Sequence, residues 1–260
     1  MTCENLLIET LGAVRRITVN RPDKLNALNH QTLTELAAAF REAGKDESVR
    51  VVILRGAGEK AFVAGADISE LARVSPVQAR DFARHGQETM RVVETLGKPV
   101  IAQIGGYALG GGMELAMACH LRYASEKAKL GQPEINLGVL PGFGGTQRLL
   151  RLTGRGAALE LCLTGAQITA QRAYELNLVN RVLPSEELEA ATLALAEQLA
   201  AFSPEALRGN LDAIITGGEA DLSTALDYEA QAFATAAATE DFREGTSAFM
   251  ERRKAVFTGR

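Results

Sequence analysis

The sequence predicts an α/β core followed by a C-terminal part that is entirely helical. Short apolar runs alternate with helical patterns, and small-residue turns join strands to the helices that follow them. From Ser185 onward only helical patterns remain, and this part is rich in alanine. Repeated strand-turn-helix units favour mostly parallel strands, with ligand sites at the carboxyl ends of the strands.

The first half of the chain begins with a predicted hairpin, formed by strands at 6–10 and 14–19. Pro22 ends the second strand, and a polar loop leads to a helical pattern that starts before Leu33. A strand, a strand-turn-helix unit and a long helix are then predicted at 51–54, 60–68 and about 76–96.

The second half repeats this plan around a glycine-rich turn at 105–114. Strands are predicted at 99–104, 121–124 and 178–182, helices at 145–152, 154–163 and 168–176, and a long Gly/Pro-rich loop at 131–145. Loops of that length inside a compact domain are usually functional. The domain prediction is an α/β core at 1–200 that holds the active site and a helical oligomerisation region at 201–260.

Composition excludes several classes of protein. With 260 residues, 47% of them hydrophobic, the chain can bury a large core, and its formal net charge of −4 argues against a nucleic-acid partner. The three cysteines and three histidines lack metal-binding spacing, so we expect no metal site and reduced thiols. No leader pattern or apolar run of roughly 20 residues is present, which predicts a cytoplasmic protein without a membrane partner.

The turn at 105–114, GGYALGGGME, is the most informative stretch. Its three consecutive glycines allow close approach of a ligand, and the following helix begins with unpaired N–H groups. Nucleotide motifs fail here, because Gly111 and Gly112 occupy the Lys-Ser/Thr positions of a phosphate loop and no GxGxxG spacing exists. A serine hydrolase fails as well, since no serine lies in a GxSxG elbow.

Two carboxylates in glycine-rich turns remain, Glu114 and Glu134, with one predicted strand between them. Adjacent strand-end turns can bring them together, and burial and repulsion would then raise at least one pKa, giving a proton donor beside a base. Amides of the 64–66 turn and of Gly111 could hold an oxyanion. From residue types alone the plainer interpretations stay open: a first-turn glutamate such as Glu114 more often only complements a helix N-terminus, and Glu134 after Pro133 could be a surface charge.

Six segments, in their order along the chain, resemble the crotonase superfamily and are most similar to short-chain enoyl-CoA hydratases. They cover essentially the whole chain: NRPDKLNAL (20–28), KAFVAGADI (60–68), KPVIAQIGGYALGGGMELAMAC (98–119), GQPEINLGVLPGFGGTQRL (131–149), LTGAQITAQRAYELNLVNRV (163–182) and FREGTSAFMERRKAVF (242–257). The resemblance implies a spiral of β-β-α units, capped by C-terminal helices that assemble homotrimers or homohexamers.

The resemblance also implies an activity in fatty-acid and lipid metabolism, the reversible syn addition of water to a trans-2-enoyl-CoA. It assigns oxyanion-hole amides to Ala66 and Gly111 and catalysis to Glu114 and Glu134, with Glu134 exchanging the proton at C2. No cofactor is implied, because coenzyme A is part of the acyl-CoA substrate. Residues matching the segments along the CoA arm are Lys24, Leu25, Ala27, Ala64, Asp67 and Ile68, and Gly142 matches a loop that closes over the water site.

Some positions depart from the family pattern. His120 stands where many relatives have an aspartate, and we expect a neutral, buried, hydrogen-bonded imidazole there. Met113 and Phe143 are expected to be pocket walls that limit acyl length. The alternatives are an enoyl-CoA isomerase or decarboxylase, which the presence of both glutamates disfavours, and a non-catalytic or RNA-binding relative, which the acidic charge also disfavours.

Overall fold

The computed structural model describes residues 3–72 and 74–260. Its strands are β1 (Leu6–Leu11), β2 (Val14–Val19), β3 (Val51–Gly56), β4 (Ala61–Val63), β5 (Val100–Ile104), β6 (Tyr107–Leu109), β7 (Leu121–Ser125), β8 (Lys129–Gly131), β9 (Gln167–Thr169) and β10 (Arg181–Leu183).

The helices are α1 (His30–Lys45), α2 (Ile68–Leu71), α3 (Pro76–Glu94), α4 (Gly111–Ala118), α5 (Gly145–Thr153), α6 (Arg155–Thr164), α7 (Ala170–Glu175), α8 (Leu188–Ala200), α9 (Pro204–Ile215), α10 (Leu222–Ala237) and α11 (Glu240–Glu251). Short 3-10 turns occupy Pro22–Lys24, Pro133–Leu137 and Gly217–Glu219.

The strands of the described residues form two sheets. One has the order β1-β2-β3-β5-β7-β10 and the other the order β4-β6-β8-β9. Apart from the β1–β2 and β8–β9 pairs, which are antiparallel, all neighbouring strands run parallel. The predicted α/β class with mainly parallel strands is therefore confirmed.

The larger sheet is covered on both faces, which explains the continuous apolar run of β3. Val52 and Leu54 point into the main core, whereas Val51 and Ile53 lie in a second cluster with Ala196 of α8. Successive side chains of a strand face opposite sides, so a strand buried on both faces needs apolar residues at every position.

The strands predicted from longer apolar runs are confirmed, as is the strand-turn-helix unit at 60–68, which corresponds to β4 and α2. The prediction missed β6, β8 and β9, each of three residues, which are too short to show an alternating pattern. The loop predicted at 131–145 contains the end of β8 and the Pro133–Leu137 turn, and the last strand begins at Arg181 rather than at 178.

The C-terminal helices differ in what they cover. Helix α8 packs on the larger sheet, whereas α9, α10 and α11 contact one another in sequence and leave large apolar side chains on the surface. Phe233, Phe249 and Met250 are 68%, 85% and 82% exposed. The predicted boundary at 200/201 falls between α8 and α9 and stays a prediction.

Candidate active site

The short helix α4 lies at the centre of the site. All its residues are buried, and Glu114 is its single charged side chain. The chain enters the helix through Gly110 with φ of 50°, and a Cβ on Gly112 would lie 1.8 Å from the carbonyl oxygen of Val63. Only glycines therefore allow α4 to begin this close to β4.

Two backbone amides, of Ala66 and Gly111, come together beside this turn. A Cβ on Gly111 would lie 3.4 Å from the Ala66 nitrogen. Neighbouring groups fix the Ala66 turn, since Leu28 N–H donates to Gly65 O (2.9 Å) and Asp67 N–H donates to Leu28 O (2.8 Å). Gly111 is the first residue of α4, so helix geometry gives its amide no acceptor.

Glu114 is 1% exposed, and its carboxylate reaches across to the start of another helix. Its Oε1 accepts hydrogen bonds from Phe143 N–H (2.8 Å) and from Gly145 N–H (2.6 Å), the first residue of α5. The carboxylate therefore does not complement its own helix, one of the alternatives that the sequence left open. Both amides donate to the same oxygen, which leaves Oε2 available for water.

Glu134 lies in the Pro133–Leu137 turn and is half-buried. Gln132 is fully buried. With its side-chain oxygen and nitrogen interchanged, the orientation that satisfies the neighbouring donors and acceptors, its amide nitrogen donates to Oε1 (3.0 Å) and Oε2 (3.1 Å) of Glu134. A Cβ on Gly110 would lie 2.7 Å from Glu134 Oε1. Glu134 is thus packed against the entry to α4, and the three turns at Ala66, Gly111 and Glu134 meet in one place.

Both carboxyl groups hold their protons more tightly than usual. Burial, followed by the charge of Glu134, raises the pKa of Glu114 to about 8, although the Gly145 and Phe143 amides and the charge of Arg148 oppose the rise. Burial raises the pKa of Glu134 to about 7. Repulsion between two carboxylates is reciprocal, so the protons belong to the pair, which holds about one proton at neutral pH.

The residues expected along the CoA arm lie on the two segments that flank Ala66. Lys24, Leu25 and Ile68 are exposed, and Ala64 N–H donates to Leu25 O (3.0 Å), while Ala27 is half-buried. The Asp67 carboxylate is engaged elsewhere, because it pairs with Arg21 (2.9 Å) and caps α2. Gly142 accepts a hydrogen bond from Gln87 Nε2 (2.9 Å).

Comparison with known proteins identifies the family. The model of the family described as "Enoyl-CoA hydratase/isomerase" matches residues 9–260. The chain belongs to this family.

Relatives of the same length support this assignment. The chain is 45% identical to the short-chain-enoyl-CoA hydratase of Clostridium acetobutylicum, over 98% of this chain and 97% of that protein. It is 43% identical to the crotonyl-CoA hydratase of Syntrophomonas wolfei, over 99% of both. The crystal structure of an enoyl-CoA hydratase from Bacillus anthracis is similar with a TM-score of 0.95 at 43% identity, over 99% of this chain and 100% of that chain.

His120, which the resemblance singles out as a departure from the family pattern, is part-buried and forms a hydrogen bond at each ring nitrogen. Its Nδ1 accepts from Val100 N–H (2.8 Å), so the ring proton is on Nε2, which donates to Glu94 O (2.9 Å). Burial lowers the pKa of this imidazole, which keeps it neutral. The side chain ties the end of α3 to β5 and does not face the glutamates with either nitrogen.

Met113 and Phe143, the two expected pocket walls, have different surroundings. Met113 is fully buried in the main core. The ring of Phe143 is wedged between two glycines, because a Cβ would lie 2.1 Å from it at Gly86 and 3.2 Å from it at Gly111. It also packs on Phe82 at 5.2 Å between ring centroids.

Phe82 in turn lines a cavity of about 290 Å³, so the two rings lie between α4 and this space. Both polar and apolar side chains line the cavity; besides Phe82 they belong to His30, Glu70, Leu71, Val74, Gln78 and Asp81.

Sequence reasoning missed several groups of the site. Gln132 holds Glu134, and the amides of Phe143 and Gly145 hold Glu114. The GFGG sequence at 142–145 was a usable signal, because a Cβ at Gly145 would come within 2.6 Å of the Gln132 amide and 2.9 Å of Glu114 Oε1. No comparable sequence signal marks Gln132.

In the part of the chain that the structure describes, no group of three or more His, Cys, Asp or Glu side chains could hold a metal ion. Nor does any helix among those residues have the length and apolar character to span a membrane.

Proposed function

We propose that this protein is an enoyl-CoA hydratase, a hydro-lyase that reversibly adds water in syn geometry across the 2,3 double bond of a trans-2-enoyl-CoA. The observation that carries the proposal is the meeting of two proton-holding carboxyl groups, Glu114 and Glu134, beside two unpaired amides. Their pKa values of about 8 and about 7 allow one to be acid while the other is base near neutral pH.

The amides of Ala66 and Gly111 serve as the oxyanion hole. Hydration of an α,β-unsaturated thioester builds enolate-like charge on the thioester oxygen, and preorganised N–H donors stabilise that charge. Each such donor is worth about 3 kcal/mol in comparable sites. The residues flanking Ala66 then hold the CoA arm, so that binding energy of this remote part positions the acyl group.

Glu114 and Glu134 divide the proton transfers. The pKa of Glu114 is the higher of the two, but the pair shares its proton, and hydration proceeds from the form in which Glu134 holds the proton and Glu114 is ionised. Oε1 of Glu114 is held by two amides, so its Oε2 orients the water and, as the carboxylate, takes a proton from it while the oxygen bonds to C3. Glu134, oriented by Gln132, delivers its proton to C2 as the double bond is lost. Dehydration reverses both transfers, and one proton on the pair is conserved overall.

Turnover of crotonyl-CoA tests this proposal, followed by loss of the absorbance of the conjugated thioester. The purified protein is expected to form 3-hydroxybutyryl-CoA and to dehydrate it in reverse. No turnover with any 2-enoyl-CoA from four to ten carbons would overturn the proposal. Formation of 2-enoyl-CoA from a 3-enoyl-CoA, without hydration, would show instead an isomerase, which needs only one base.

No cofactor is needed in this scheme, because no electrons are transferred and the two carboxyl groups supply and accept the protons. Activity is accordingly expected to survive extensive dialysis against a chelator. A cytoplasmic location is part of the proposal, since the three cysteines have the spacing of ordinary reduced thiols.

We further infer a homotrimer or a dimer of trimers, assembled through α9, α10 and α11. The exposed Phe233, Phe249 and Met250 on α10 and α11 support this inference, because burial of such large apolar side chains against another copy of the chain would be favourable. Light scattering at micromolar concentration tests it, and a monomer would contradict it.

A further inference from the structure

We propose that Arg148, held in place by Glu94, is a positioning residue that sets the location of the Glu114 carboxylate. The proposal rests on the proposed hydratase function, in which Glu114 activates the water. It gives a role to the Arg148–Glu94 ion pair, which lies outside the two catalytic glutamates, and to the imidazole of His120, which is hydrogen-bonded to Glu94.

The position of Glu114 depends on the segment 142–145, since both of its backbone donors, Phe143 and Gly145, belong to that segment. A shift of this segment would therefore move the carboxylate directly. Misplacement of a reacting group by about 1 Å is enough to cost a reaction on the order of 100-fold.

Arg148 fixes the same segment through the carbonyl group of Phe143. Its guanidinium forms a two-pronged pair with Glu94, Nε to Oε1 at 3.0 Å and Nη2 to Oε2 at 2.7 Å, and Nη1 donates to Phe143 O (3.2 Å). Phe143 is thus held at its carbonyl by Arg148 while its amide holds Glu114. A guanidinium provides the planar fork that this arrangement requires.

The backbone is built to admit this guanidinium. Gly144 has φ of +104°, and a Cβ there would lie 2.4 Å from Arg148 Nη1. The ion pair is also sheltered, with the side chains of Arg148 and Glu94 only 16% and 30% exposed. Such a pair holds its geometry better than a pair on the open surface.

Glu94 is itself fixed by His120. Glu94 is the last residue of α3, and its carbonyl accepts the Nε2 proton of His120, whose Nδ1 accepts from Val100 N–H. A continuous series of contacts therefore runs from β5 through His120, Glu94, Arg148 and Phe143 to Glu114. The neutral imidazole supplies the one donor and one acceptor that this connection needs.

Arg148 also acts on Glu114 through its charge, which lowers the pKa of that carboxyl against burial and the charge of Glu134. The ionisable groups near Glu114 are thus Glu134, Arg148 and Cys162, the last having a pKa raised by burial and by both glutamates. Removal of Arg148 and removal of Glu94 change the charge near Glu114 in opposite directions.

The test compares Arg148→Met, Arg148→Lys and Glu94→Gln by the pH dependence of kcat and kcat/KM for crotonyl-CoA. Arg151→Met is the matched control, because Arg151 lies on the same helix and forms a two-pronged pair with Glu219 on the exposed surface. Thermal unfolding of every variant measures the folded fraction.

Arg148→Met is expected to lower kcat about 10- to 100-fold with a much smaller change in KM, since the loop shifts while the CoA arm stays bound. The pH profile of Arg148→Met moves to higher pH, because loss of the positive charge raises the pKa of Glu114. The profile of Glu94→Gln moves to lower pH, because the charge of Arg148 is then no longer balanced by Glu94 and lowers that pKa further. Arg148→Lys keeps the profile close to that of the unaltered protein but has a lowered kcat, because a lysine lacks the fork. Arg151→Met retains unaltered kinetics.

The proposal is overturned if Arg148→Met keeps kcat within twofold, or if its loss of activity follows only the loss of folded protein while the pH profile stays in place. A purely structural ion pair would also shift the profiles of Arg148→Met and Glu94→Gln in the same direction or leave both unchanged. Should Arg148→Met fail to fold, Arg148→Lys and Glu94→Gln decide the question by the same criteria. Absence of turnover in the unaltered protein would instead refute the proposed function.

Discussion

Replacement of Glu114 by glutamine is expected to abolish most of the activity and, at the same time, to stabilise the protein. Glutamine has nearly the same shape, and its Oε1 can still accept from Phe143 N–H and Gly145 N–H. It cannot, however, take a proton from water. A fall in kcat of about 100- to 10,000-fold follows from loss of a general base.

The stabilisation follows from the raised pKa of Glu114, about 8 in the folded protein against an ordinary 4.5. An acid whose pKa is raised on folding binds more protons in the folded state, so it costs stability above its unfolded pKa, and the cost increases with pH until the folded pKa is passed. From the two pKa values the cost is about 1 kcal/mol at pH 5, about 3 kcal/mol at pH 7 and about 5 kcal/mol at pH 9. Glutamine has no such cost.

Urea denaturation of both proteins at pH 5, 7 and 9, at one fixed protein concentration, measures this difference. The expected result is a variant that is more stable at every pH, by a margin that widens from pH 5 to pH 9. A margin independent of pH would refute the reasoning, because it would mean that Glu114 titrates normally in the folded protein. A variant less stable than the unaltered protein at pH 9 would refute it as well.

Three further outcomes are expected. Gly112→Ala would place a Cβ 1.8 Å from Val63 O, so thermal unfolding is expected to show a loss of several kcal/mol of stability, or the variant fails to fold. Gly58→Ala is the control: its Cβ would lie in open space, and the variant is expected to lose only about 1 kcal/mol from the strain of its φ of +74°. Phe143→Ala keeps the amide that binds Glu114 but removes the ring packed on Phe82, so the rate on an eight-carbon relative to a four-carbon substrate is expected to rise about tenfold, and an unchanged ratio would exclude Phe143 as the limit on acyl length. Burial lowers the pKa of His120 below its ordinary 6.5, so its contribution to stability is present above pH 6.5 and is lost as the pH falls. In His120→Gln the free energy of unfolding is therefore expected to fall less steeply with decreasing pH, and a pH profile identical to that of the unaltered protein would contradict this.

Features of the fold that are determined by residues close together in the sequence could be predicted, whereas features that depend on contacts between distant residues could not. The apolar runs of β3 and β5 predicted strands correctly, because burial on both faces of a sheet requires apolar residues at successive positions of the sequence. Three-residue strands such as β6 and β9 leave no such record, since their extended form is imposed by the neighbouring strand. The C-terminal helices were predicted from the helical pattern that continues after Ser185, and Ser203 and Pro204 lie at the start of α9, where Ser203 caps the helix.

In the site, too, the residues in local sequence patterns could be predicted, whereas the contacts between distant residues could not. Glycine-rich turns and the family resemblance pointed to Glu114 and Glu134, and the structure brings their turns together with that of Ala66. The hydrogen bonds that hold them could not be predicted from spacing, because Glu114 and Gly145 are 31 residues apart and Arg148 and Glu94 are 54 residues apart. Such contacts depend on how α3, α4 and α5 pack, which no local pattern encodes.

The placement of positive charge around the site follows from the chemistry it must allow. At the surface, Glu244 pairs directly with Arg253, and hydrogen bonds from Arg253 and Val256 lower its pKa to about 2. A carboxyl group paired in that way could not retain a proton near neutral pH. Arg148 therefore acts on Glu114 indirectly. Its guanidinium forms a bidentate ion pair with Glu94 and donates one hydrogen bond to the Phe143 carbonyl, without contacting the Glu114 carboxylate. That arrangement orients the carboxylate firmly while leaving its pKa high enough for the pair to share one proton.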